Sequence, residues 1–159
     1  MRKTLGNLRT LLRTSFSTDS VKAVVIGKND EPLRSDLPQV QLFPINRNFE
    51  LSGTCKDNQA RSVGIRGIVS VPQNLSQTAL TQETMSSILE VADLFEKKDT
   101  DGSINTASIL GVLRHSPTVN GQALFVNDMS VDYGSLDELG YPNSTANMTC
   151  IFNSRNLTK

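Results

Sequence analysis

Residues 62–71 read SVGIRGIVSV, and this short stretch decides the fold. Val63, Ile65 and Gly67 alternate with Gly64, Arg66 and Ile68, the two-residue period of a strand whose faces meet different surroundings. β-Branched side chains dominate, as a pleated, half-buried surface favours. On this pattern Arg66 is expected to face solvent. The glycines are expected to mark a bulge or a close backbone approach. Upstream, Asn48–Cys55 alternates Phe49, Leu51 and Gly53 with Glu50 and Ser52. Lys56-Asp57-Asn58-Gln59 between them reads as a turn, which predicts an antiparallel hairpin.

Outward toward the N-terminus, Val40, Leu42 and Ile45 fit an edge strand, because Pro44 cannot donate to a ladder on both sides. Pro38 biases Leu37 away from helix, so 35–38 is a loop. Residues 20–27 hold VKAVVIG, a short strand, and the turn-rich KNDEP follows. Outward in the other direction, Pro72–Thr81 is a polar connection. Thr81 stands where an N-cap belongs, and Met85, Ile88, Leu89, Ala92 and Phe95 follow at helical spacing. This predicts a helix over Gln82–Glu96 with Glu83, Glu90, Asp93 and Glu96 on its polar face. Asp99-Thr100-Asp101-Gly102 ends it. Thr106–His115 contains the apolar run Ile109–Leu113, read as a strand with a short helix close behind. Asn120-Gly121 is a hairpin signal. Gln122–Met129 is a strand, Tyr133–Tyr141 a loop or single helical turn, and Asn147–Asn153 a closing strand. Short strands without a repeating βα period, and one long helix, predict an α+β fold on a mainly antiparallel sheet or sandwich.

The first residues form a separate problem. Leu5, Leu8, Leu12 and Phe16 recur at helical spacing with Leu11 beside them, while Arg2, Arg9 and Arg13 fall opposite, joined by Lys3. Residues 1–19 are therefore expected to be a basic amphipathic arm or helix, and 20–159 a single β-rich α+β domain. Four roles fit such an arm: a surface helix docked on its own domain, a phosphate-backbone contact, a membrane-surface helix, or an organellar presequence.

Charge supports a division of labour. Residues 1–28 hold six basic side chains and one acid, a net of +5, while residues 67–142 hold three and ten, a net of −7, within a chain whose formal charge is zero. Opposite charges separated along a chain point to a polyanion, a membrane surface or a second copy as partner. The candidate acidic docking face is Glu90, Asp93 and Glu96. A second basic set, Arg47, Lys56, Arg61 and Arg66, gathers in part on one sheet face if the hairpin forms. Asn, Ser and Thr together supply 44 of the 159 residues and Trp none, so the core relies on aliphatic side chains.

Catalytic and metal patterns fail on inspection. Lys97–Ser108 resembles a calcium loop, yet Lys97 stands at the first ligand position and Ser108 at the twelfth, where carboxylates belong. The only histidine, His115, adjoins Ser116 without a third group. Gly64-Ile65-Arg66-Gly67 lacks both the third glycine of a dinucleotide loop and the Lys-Ser/Thr of a P-loop. Cys55 and Cys150 read as reduced thiols, with one long-range disulfide between them as the alternative, and no cofactor, metal or small-molecule substrate is indicated. No apolar run reaches the length of a signal peptide or a membrane span, which predicts an intracellular location or a place in a virion.

In its organisation the chain resembles the coat or matrix subunits of simple RNA viruses. The basic, acid-poor N-terminal arm (Arg2, Lys3, Arg9, Arg13) before a compact β-rich body carries that resemblance. It implies a non-enzymatic, self-assembling structural protein, a homo-oligomer whose arm contacts a neighbouring subunit, RNA or an anionic membrane. The alternatives are a small intracellular adaptor with a targeting helix, and an unrecognised enzyme.

Overall fold

A computed structural model describes residues 1–18, 20–29, 32–51, 56–70, 77–119, 125–134 and 143–157. The elements run α1 (Arg2–Ser15), β1 (Ala23–Ile26), β2 (Gln39–Leu51), β3 (Lys56–Ser70), α2 (Gln77–Glu96), α3 (Ile109–His115), β4 (Phe125–Gly134) and β5 (Asn143–Leu157). The class is α+β. Five strands form one sheet in the order β1-β2-β3-β5-β4. The pairings β2–β3, β3–β5 and β4–β5 are antiparallel, and β1–β2 is parallel. Among the described residues there is one sheet and no second sheet facing it. Helices take the place of a second sheet.

One face of the sheet carries Val24, Val40, Leu42, Val63, Ile65, Val69, Ala146, Met148, Cys150 and Phe152, all buried in one core. Register explains the set. Leu42 opposes Ile65, which opposes Met148, and alternate residues along each strand repeat the arrangement. Leu5, Leu8 and Leu12 of α1 enter the same core, with Val91, Leu94 and Phe95 of α2 and Ile109, Val112 and Leu113 of α3. The leucine stripe of α1 thus covers its own domain, and residues 1–16 are a layer of the body.

The hairpin of β2 and β3 is longer than expected. Lys56–Gln59 is strand, not turn, and Leu51 pairs with Asp57. No apolar alternation marks this polar extension, which is why a local reading begins the strand too late. Pro44 sits inside β2, not on a separate edge strand. β1 pairs with β2 only from Gln39 to Leu42, so beyond that point the missing N–H of Pro44 costs no β1–β2 bond. The ladder to β3 shifts register between Pro44 and Asn46. Close approach, not a bulge, explains both glycines of β3. The Phe43 ring lies against Gly64, and a Cβ on Gly67 would stand 2.7 Å from Phe95 Cε2.

Arg66 does point away from the aliphatic core, as alternation requires, but it is only 8% exposed. The expectation of a solvated Arg66 fails because this second face is also covered. Arg66 lies level with Gln41, which is fully buried. Gln41 binds the backbone of Asn29 twice: its Oε1 accepts from Asn29 N at 3.1 Å and its Nε2 donates to Asn29 O at 2.7 Å. A second bond from Nε2 reaches Gln39 Oε1 at 2.8 Å. The segment between β1 and β2 therefore folds back over a polar row, and the amides satisfy one another there.

α2 begins at Gln77, five residues before its expected start, and Thr81 lies within it. After Glu96 the chain closes a tight turn. Lys98 bridges Ile104, Asp99 accepts from Asn105 Nδ2 at 2.6 Å, and Asp101 accepts from Ser103 Oγ at 2.6 Å. The Ser103 bonds hold the Asp101 carboxyl below the ordinary range. These carboxylates serve the turn. Residues 109–115, expected as strand, are helix. Ser108 decides it: its Oγ accepts from Gly111 N at 3.1 Å as an N-cap, and the side chain is fully buried. Ser108→Ala is expected to cost about 1 kcal/mol of stability in urea denaturation, with the sheet intact.

The Asn120-Gly121 turn, most of Tyr133–Tyr141, and Cys55 lie outside the described residues. Asn147–Asn153 falls inside β5, which extends well beyond it on both sides and lies between β3 and β4.

Candidate functional site

α1 forms because its apolar residues recur every three or four positions. It stops at Phe16, whose extended backbone leaves the helix while its N–H still reaches Leu12 O. Arg2, Lys3 and Arg13 are exposed on its outer side. Arg9 is different: its Nε donates to Val24 O at 3.0 Å, tying α1 to β1. Of the four basic residues expected to reach a partner, one is thus engaged in the fold.

The second basic set divides. Arg47 and Arg61 are direct cross-strand neighbours on the helix-bearing face of the β2–β3 hairpin. Arg47 Nη2 donates to Gln59 Oε1 at 2.7 Å, and Arg61 Nη2 donates to the same oxygen at 3.1 Å. One neutral acceptor is therefore shared by two guanidinium groups. Arg61 Nη1 also donates to Thr4 Oγ1 at 2.8 Å, which sets this pair against the first turn of α1. Arg61 Nε is buried and meets no acceptor. Arg66 belongs to the opposite face. Lys56 opens β3 opposite Leu157, and its side chain lies outside the described residues.

Positive groups gather around Arg61. The first turn of α1 contains no acid and Met1 supplies no side-chain cap, so the positive end of the helix dipole adds to the two arginines. Burial, and then the neighbouring Arg47 charge, hold the Arg61 guanidinium below its ordinary pKa. The Met1 amino group is lowered by burial, then by Arg61 and Arg47. Opposed like charges on paired strands are destabilising in themselves.

Glu90, Asp93 and Glu96 share one side of α2 and are all exposed. Leu89 beside them is 63% exposed. His115 Nδ1 lies 3.0 Å from Gly111 O, one helical turn back. Cys150 is buried in the sheet and forms no disulfide among the described residues. Among the described residues no three His, Cys, Asp or Glu side chains converge as metal ligands. No helix among them is long and apolar enough to cross a membrane.

Sequence reasoning found Arg47 and Arg61 but missed Gln59 and Thr4, which orient them. The available signal was register: with Leu51 opposite Asp57, positions 47 and 61 fall opposite each other. No protein-family model matches the chain, and a search of curated proteins finds no significant match.

Proposed function

We propose that this protein is a non-enzymatic structural subunit that self-associates, of the kind found in the coat or matrix of simple virions. One observation carries the reading. Arg2, Lys3 and Arg13 on α1, and Glu90, Asp93 and Glu96 on α2, are exposed groups of opposite charge on two different elements. Two different surfaces that match make a heterologous contact, which builds rings or open arrays. The arm's role is electrostatic. Leu5, Leu8 and Leu12 are already buried in the domain, so α1 has no apolar face left to insert into a bilayer.

Sedimentation velocity across protein and salt concentration tests this. Large species are expected at low salt and should dissociate toward 1 M salt, where the screening length falls from about 10 Å to about 3 Å. Reversal of the acids (E90K, D93K, E96K) should abolish assembly. Mixing that variant with one reversed at Arg2, Lys3 and Arg13 should restore it. A monomer under every condition sinks the reading.

A further inference from the structure

We propose that α1 of one copy packs antiparallel against α2 of a second copy, with Leu89 seated on Gly6. The contact rests on the self-association proposed above and names its centre. Gly6 lies in the interior of α1, where glycine is the poorest helix former after proline. Neither space nor backbone conformation calls for it among the described residues. Its φ is not positive, and a Cβ built there would meet no atom within 4 Å. Leu5, Leu8 and Leu12 enter the core, so helical spacing sets Gly6 on the outer side, among the exposed Arg2, Lys3, Thr10 and Arg13. A missing side chain in the middle of a basic face opens the helix backbone to close approach from outside.

Leu89 supplies the matching projection. It is one of the few large apolar side chains left exposed, and it lies on the side of α2 opposite the buried Ser87, Val91, Leu94 and Phe95. Asp93 and Glu96 follow it at i+4 and i+7, on the same side. An exposed leucine is ordinary by itself. Here the leucine stands among acids, and the gap that fits it stands among bases on another helix of the same chain. The two faces are therefore complementary in shape and in sign. The helix ends set the direction. The first turn of α1 contains no acid, and the last turn of α2 contains no base. Antiparallel packing brings Asp93 and Glu96 beside Arg2 and Lys3 and joins dipole ends of opposite sign, whereas parallel packing joins like ends. Each copy carries both faces, so the contact repeats from copy to copy.

Sedimentation velocity of the full chain at low salt tests the contact. Gly6→Gln and Leu89→Ser should each weaken association about 10- to 100-fold, as loss of a buried leucine contact implies. Gly6→Gln should also keep or raise the thermal midpoint of the subunit, because glutamine is the better helix former. A role confined to the subunit's own stability would instead lower both. An equimolar mixture of the two variants is the sharper measurement. One retains an intact Leu89 face and the other an intact Gly6 face, so the mixture should form heterodimers and grow no further. Leu89→Ser, at an exposed position, carries the test if Gly6→Gln fails to fold by circular dichroism. Salt-sensitive assembly that neither substitution weakens overturns this contact and leaves self-association standing. Weakening by Leu89→Ser beside a folded, fully associating Gly6→Gln also overturns it, because Leu89 then docks elsewhere. A mixture of folded variants that stays monomeric does the same. A wild-type chain that is monomeric under every condition overturns both the contact and the self-association.

Discussion

Leu8→Ala is expected to lower the unfolding free energy by about 2–5 kcal/mol, measured by urea denaturation. Leu8 is fully buried and packs with Leu5 and Leu12 between α1 and the sheet. The packed structure closes only partly around the missing methyl groups, so a cavity adds to the lost transfer energy. A domain of this kind is stable by roughly 5–15 kcal/mol. Removing residues 1–16 exposes what Leu5, Leu8, Leu12 and Phe16 cover, and the sum of four such losses reaches that range. The truncated chain is therefore expected not to fold. A truncation that keeps a cooperative transition would show that α1 is a dispensable arm and contradict the packing described above.

The second large effect lies under α2. Phe95→Ala is expected to cost about 3–5 kcal/mol. Phe95 is fully buried, and its ring lies against Gly67 of β3, where no side chain separates them. Gly67→Ala attacks the same contact from the other side. Its Cβ would press on the ring, and overpacking of this sort costs typically about 1–3 kcal/mol. The two sites touch, so their costs should not add. The double variant Gly67→Ala/Phe95→Ala is expected to be less unstable than the sum, because the new methyl group occupies space the ring has left. Additive losses would mean that ring and glycine do not meet.

These contacts also mark where local pattern carries information and where it does not. The leucine spacing in residues 5–12 and the alternation in 62–69 reflect a core face, and both are readable because burial on one side repeats with the period of the element. Arg66 obeys the same alternation and was still misread. It is buried all the same, beside Gln41, which binds the Asn29 backbone, and no feature near Arg66 in the sequence announces that burial. The short run 109–113 has too few residues for a period, so the capping Ser108 decided between helix and strand. Arg47 and Arg61 were visible as basic residues on a hairpin. Their opposition depends on register, which a shift of the turn by a few residues destroys. Gln59 and Thr4 are ordinary polar residues whose role exists only once two elements distant in sequence are brought together.

The position of β5 has a consequence for how the chain is made. β5 follows β4 in sequence yet lies between β4 and β3, and among the described residues it is the only strand with which β4 pairs. While the polypeptide is being synthesised, α1, β1, β2 and β3 can assemble early, but they end in an open strand edge along β3. β4 then leaves the ribosome with no neighbour to bind. Both edges wait for the same segment, and its arrival closes pairings as distant as Lys56 with Leu157. Such long-range closure is slow and leaves strand edges exposed in the interval. For newly made chains, β5 is therefore the step at which correct folding competes with pairing between copies.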